Sequence, residues 1–113
     1  MNLPYELQIY KRDKNKLAPK ELKDVHPLGK APVISVQAEG GEPLVLAESA
    51  FIIEYLTEHF GAWLIPKRYA DGKEGQAGGE TAEWLRYRFL MHYAEGSLMT
   101  YLIVALIIGS TSL

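Results

Sequence analysis

Residues 26–56 read HPLGKAPVISVQAEGGEPLVLAESAFIIEYL, and this stretch decides the fold. Pro32 to Val36 is a short β-rich run that begins with proline, which a strand tolerates at its first residue. The AEGGEP segment has turn chemistry, and Leu44 to Ala47 forms a second run. The pair reads as a β-hairpin with a loose loop. Ser49 then reads as the cap of a helix, AFIIEYLTEHF, because a serine oxygen accepts from the free amides of a first helical turn. Gly61 closes this helix, since glycine suits a left-handed closing position. Ile53, Leu56 and Phe60 are expected to form its inward stripe.

Upstream, YELQI alternates: Tyr5, Leu7 and Ile9 share one face, Glu6 and Gln8 the other. That pattern predicts a strand with one buried face. From Lys11 to Asp24 the chain holds six Lys or Arg and three Asp or Glu, the make-up of a solvated loop and short helix. Pro19 can open that helix, with Leu22 and Val25 facing inward. His26-Pro27 ends it, because proline disfavours helical geometry in the residue before it.

Downstream, DGKEGQAGG (71–79) contains four glycines in nine residues and reads as a flexible connection. No internal repeat is recognised. Positions 84, 87, 91, 94, 98, 101, 105 and 108 are Trp, Tyr, Met, Ala, Leu, Tyr, Ala and Ile. Their alternating spacing of three and four predicts a long helix from Glu80 to Ile108 with a continuous apolar seam. At 1.5 Å per residue it would extend about 43 Å. Nothing earlier in the chain is long enough to cover such a seam, so it predicts further helices, a partner chain, or both.

Composition narrows the function classes. The chain has 113 residues, 48% hydrophobic and 23% charged, with a formal net charge of -2. It can bury an ordinary core, and it lacks the basic footprint of a nucleic-acid binder. The absence of cysteine excludes disulfides, thiolate metal sites and a cysteine nucleophile within these residues. No hydrophobic signal follows Met1, which points to a cytoplasmic protein. The most apolar run, LMTYLIVALII (98–108), is 11 residues long. A bilayer span needs about 20, so no membrane span is expected.

Little in the sequence suggests a self-contained catalytic centre. His26, His59 and His92 lie in three different elements without metal-ligand spacing, so no metal is expected. No phosphate-cradling glycine motif occurs. Two features remain: Lys30-Ala31-Pro32, where the chain enters a strand, and Glu48-Ser49, where a strand gives way to a helix. A helix start offers unpaired amides and partial positive charge, a natural seat for a carboxylate. Glu48 can accept from an ammonium. This corner therefore suits a zwitterionic amino-acid head group.

HPLGKAPVISV, a hairpin, LAESAFIIEYL, a Gly-rich segment and WLRYRFLMHYAEGSLM follow one another in an order that resembles the cytosolic glutathione S-transferase family, fungal and bacterial type. The resemblance covers nearly all of the chain. It implies an α/β fold: an incomplete thioredoxin-like domain (1–70), a linker (71–79) and the start of an all-α C-terminal domain (80–113). It further implies a cis bond before Pro32 and pairing of the Ala31 backbone with the cysteinyl part of glutathione. By the same resemblance Glu48 and Ser49 hold the γ-glutamyl group, and Lys30 meets the glycine carboxylate. Glutathione enters as substrate, without a separate cofactor, and is joined to apolar electrophiles in detoxification. A homodimer is implied, and the apolar seam and Phe51 or Tyr55 are candidate contributors to it.

The chain departs from the family at both ends. The family's first strand and most of its first helix precede the segment matching Leu3 to Ile9. That missing part carries the residue that activates the sulfur, so the catalytic residue is unknown here. Activation is substantial: a free thiol with pKa about 8.5 is only about 3% thiolate at pH 7. The far end stops within or just after the first long helix. The chain is therefore expected to be a fragment. The competing expectation is a non-catalytic glutathione-binding or dimerisation module.

Overall fold

The structure is a computed structural model that describes residues 2–14, 17–37 and 39–111. It divides into two compact units, Met1–Ala62 and Trp63–Leu113.

The first unit is built on the hairpin. Strands β1 (Val33–Val36) and β2 (Leu44–Ala47) pair antiparallel in the register Val33↔Ala47, Ile34↔Leu46, Ser35↔Val45 and Val36↔Leu44. The alternation that defines a half-buried strand places Ile34 and Leu46 on one face. Before β1 comes the one-turn helix α1 (Leu22–Val25), entered through tight bonds from Leu22 N–H to Pro19 O and from Lys23 N–H to Lys20 O. It ends at His26, whose backbone is extended, as the following proline requires. After β2 comes helix α2 (Ser49–Phe60). Leu22, Leu46, Ala47 and Ile52 form the buried core, so α1, the hairpin and α2 each contribute to it.

Four local expectations change. Residues 5–9 form no strand: Tyr5, Leu7 and Ile9 are 86%, 71% and 76% exposed, and the described sheet holds just β1 and β2. Alternation states which side would face a core, but a strand also needs a neighbour to complete its ladder. Helix α2 turns a different face inward. Ile52 and Thr57 are buried, Leu56 is half-buried, and Ile53 and Phe60 are exposed. Thr57 can sit in the core because its hydroxyl donates within its own helix, to Ile53 O at 2.7 Å or Glu54 O at 3.0 Å. Ser49 is the first helical residue rather than the cap, which is Glu48, and no side-chain cap bond forms. Gly61 does end α2, through its N–H to Thr57 O, but with φ −150° and not in the left-handed region.

The second unit begins by tying back the glycine-rich segment. Ala70 N–H donates to Gly79 O, Thr81 N–H donates to Arg68 O, and Tyr69 bridges Glu80. Between these anchors lie three successive turns, closed by Lys73 N–H to Ala70 O, Gln76 N–H to Lys73 O and Gly79 N–H to Gln76 O. Gly72, Gly75 and Gly78 occupy the third position of each turn with φ near +75° (75°, 75° and 78°). Glycine is favoured there because it has no Cβ to clash. The segment read as a flexible connection is thus a three-residue pattern, DGK-EGQ-AGG, folded into consecutive turns. Gly79 is needed for another reason, since a Cβ there would lie 2.6 Å from Lys73 O. Lys67 pairs with Asp71. That hydrogen bond, and then the Coulomb attraction, hold the Asp71 carboxyl below and the Lys67 ammonium above their ordinary ranges. Arg68 lies over the rings of Tyr69 and Trp84 at 4.8 and 4.7 Å.

Helix α3 (Ala82–Tyr93) starts at the residue after Thr81, whose N–H closes the loop. Its cap is Thr81, whose hydroxyl accepts from Trp84 N–H and donates to Lys67 O. One side chain therefore both caps the helix and fastens it to the loop. Thr81→Ala is expected to lower the stability of this unit by about 1–2 kcal/mol, read as a lower denaturant midpoint at unchanged slope; a change below about 0.3 kcal/mol would show the cap to be dispensable.

The long helix predicted from the seam is present but interrupted. A π turn (Ala94–Leu98) separates α3 from α4 (Met99–Thr111). Met99 N–H donates five residues back to Ala94 O, whereas Ala94 N–H donates four back to Leu90 O. The extra residue shifts the second half by about 100° relative to an unbroken α-helix. Trp84, Tyr87 and Met91 are half-buried, while Ala94, Leu98, Tyr101, Ala105 and Ile108 are exposed. Counted through the π turn, the helical span Ala82–Gly109 is 28 residues long and reaches, by length and composition alone, the range of a membrane-crossing helix. Core helices of soluble proteins reach that range too.

Candidate functional site

The two motifs singled out in the sequence meet at one end of the hairpin. Pairing of Val33 with Ala47 is the last rung of the ladder. Pro32 immediately precedes Val33, and Glu48 immediately follows Ala47. The register therefore brings the two segments out at the same end of the hairpin, away from its loop. Directly opposed residues in an antiparallel pair lie about 4.5–5.5 Å apart between Cα atoms, so Pro32 and Glu48 flank a rung of about that width.

Each residue has a distinct setting. Lys30, Ala31 and Pro32 are exposed. The Ala31–Pro32 peptide bond is cis, as the resemblance implied. Glu48 is exposed and Ser49 half-buried. Among the described residues, the Ser49 hydroxyl takes part in no hydrogen bond and Glu48 in no ion pair. Glu48 O accepts from Ile52 N–H at 2.9 Å and starts the helical ladder. The preceding amides of α2 have no intrahelical acceptor, and they carry the positive end of the helix dipole. The corner thus offers amide donors and a hydroxyl for a carboxylate, and a carboxylate for an ammonium.

One feature of the corner could not be read from residue spacing. Glu48 has φ 77° and ψ 119°, and it has the one positive φ found at a described non-glycine residue. Such a backbone costs about 1–3 kcal/mol and persists where the surroundings demand it, often at ligand clamps. The strain turns the chain sharply out of β2 and into α2. Glu48→Gly is expected to raise the stability of the first unit by about 1 kcal/mol, since Cβ strain outweighs the added entropy of glycine. A fall in the midpoint of chemical denaturation would contradict the strain.

The histidines play other parts. His59 lies tilted against the rings of Tyr55 and Phe60, with centroids 4.4 and 6.0 Å away. His26 shapes the loop before Lys30, and His92 is exposed on α3. Among the described residues, no three His, Asp or Glu side chains gather as metal ligands would.

This arrangement, a hairpin entered through a cis-proline and left through a Glu-Ser helix start, is that of a thioredoxin-like domain. Residues 1–59, just over half of the chain, match the family model for the glutathione S-transferase N-terminal domain. The chain belongs to the glutathione S-transferase family. It is 39% identical over 111 residues to glutathione S-transferase 1 of Saccharomyces cerevisiae, an alignment covering 96% of this chain and 43% of that protein. It is 28% identical over 102 residues to glutathione S-transferase 3 of Schizosaccharomyces pombe, covering 90% of this chain and 36% of that protein. The chain therefore spans less than half the length of these relatives. No solved structure matches it.

Proposed function

We propose that this chain supplies the glutathione-binding part of a glutathione transferase, which joins the glutathione sulfur to apolar electrophiles. The observation that supports this reading is the hairpin register, whose last rung, Val33 with Ala47, is flanked by Pro32 on one strand and Glu48 on the other. The γ-glutamyl carboxylate takes the Ser49 hydroxyl and the free amides of α2, and the ammonium takes Glu48. The Ala31 backbone pairs with the cysteinyl residue as a short added strand does. Lys30 faces the glycine carboxylate. No residue of the 113 is assigned to sulfur activation. The division into a thioredoxin-like part (1–70), a connection (71–79) and the start of a helical part (80–113) belongs to the same proposal. So do a detoxifying role, a cytoplasmic location and a homodimer to which Phe51 or Tyr55 contributes. The exposure of Phe51 on α2 is consistent with that contribution.

The test is calorimetric titration with reduced glutathione, alongside turnover of a generic aryl halide electrophile. Binding with turnover supports a transferase. Binding without turnover supports a non-catalytic glutathione-binding or dimerisation module. Absence of binding removes the site.

A further inference from the structure

We infer that His26 is a positioning residue that sets the loop carrying Lys30, Ala31 and Pro32. The inference rests on the glutathione site proposed above, but its geometry stands apart from it. His26 uses its backbone and its ring at once. Its N–H donates to Leu22 O at 3.0 Å and closes α1. Its carbonyl accepts from Gly29 N–H at 2.8 Å and closes a four-residue turn, with Pro27 in the second position. Its Nδ1 accepts from Leu28 N–H at 3.2 Å, inside that turn. Proline at the second position fixes one backbone angle of the turn, and the ring nitrogen restrains the next peptide. Gly29 leaves the turn with φ +59°, and a Cβ there would lie 2.6 Å from Lys23 Cγ, so the exit from the turn suits glycine. The next residue is Lys30. The path of the chain from α1 to the site therefore passes through one imidazole.

An acceptor separated from Cα by Cβ and Cγ is what this geometry needs, and Asn Oδ1 has the same separation as His Nδ1. Asparagine commonly bonds the backbone two residues on in this way. Alanine has no acceptor, and glutamine places its own one carbon too far. The fold-specific reading thus predicts rescue by Asn, which a role in bulk packing or ring stacking does not.

The experiment uses full-chain His26→Ala and His26→Asn variants. Reduced glutathione affinity is measured by calorimetry, and Leu28 amide exchange by NMR. His26→Ala should weaken binding and accelerate Leu28 exchange by about fivefold each, the loss of one neutral hydrogen bond. His26→Asn should restore both to within about twofold of the parent on the same scale. Asn behaving like Ala, or Ala behaving like the parent, overturns the inference. If His26→Ala does not fold, His26→Gln replaces it under the same criteria. If the parent does not bind glutathione, the site reading fails. His26 is then judged on Leu28 exchange and on the Ala31 and Val33 amide shifts: recovery in Asn supports the inference, and no recovery overturns it.

Discussion

Leu46→Ala is expected to lower the stability of the first unit by about 2–4 kcal/mol, enough to leave it largely unfolded if its total stability is near the low end for small domains. Leu46 is 5% exposed and pairs with Ile34 across the hairpin. The buried apolar core here is small: Leu22, Leu46, Ala47 and Ile52. With so few members, no neighbour can expand to fill the space that a leucine leaves. Denaturant unfolding followed by far-ultraviolet circular dichroism measures the effect, and a loss below about 1 kcal/mol would mean that the hairpin is not centred on this side chain.

Ser49→Ala is expected to weaken glutathione binding by about 1–3 kcal/mol through loss of a hydrogen bond to a charged group. Stability should stay within about 0.5 kcal/mol of the parent, because Glu48 and not Ser49 occupies the cap position and no side-chain cap bond is lost. Binding and stability thus separate in one variant. Calorimetry with reduced glutathione and a denaturant titration check the two halves. Unchanged affinity in a folded variant removes Ser49 from the site.

The elements most legible in the sequence were those that depend on nearest neighbours. Pro32, the EGGEP turn residues and the β-rich runs around them suffice to specify a hairpin, and Pro27 suffices to stop α1. The Glu-Ser corner was legible as chemistry, since a carboxylate beside a helix start has a limited set of uses. Features set by distant neighbours were less legible. Which face of α2 turns inward depends on where the hairpin lies, and this buries Ile52 and Thr57 instead of Ile53 and Phe60. A threonine in that core is hidden from pattern analysis because its hydroxyl is satisfied within its own helix. The π turn keeps the apolar spacing intact in sequence while breaking it in space. Tyr5, Leu7 and Ile9 have the composition of a strand, but among the described residues no neighbouring strand pairs with them. In the glycine-rich segment, composition suggested looseness, whereas the spacing of three between Gly72, Gly75 and Gly78 specifies successive turns.

The hairpin register also isolates the site from its own connecting loop. Val36 and Leu44 close the ladder at one end, and Val33 and Ala47 close it at the other. Four rungs at about 3.4 Å per residue put roughly 10 Å between them. Residues 39–42 are exposed, and a Cβ added at Gly40 would meet nothing within 4 Å, although the φ of +68° there favours glycine. Apart from the glycine at position 40, length and composition at that tip can therefore drift, or a reporter peptide can be spliced in, without altering the spacing of the Glu-Ser corner. The tip is a tolerant port on a molecule whose opposite hairpin end is tightly specified.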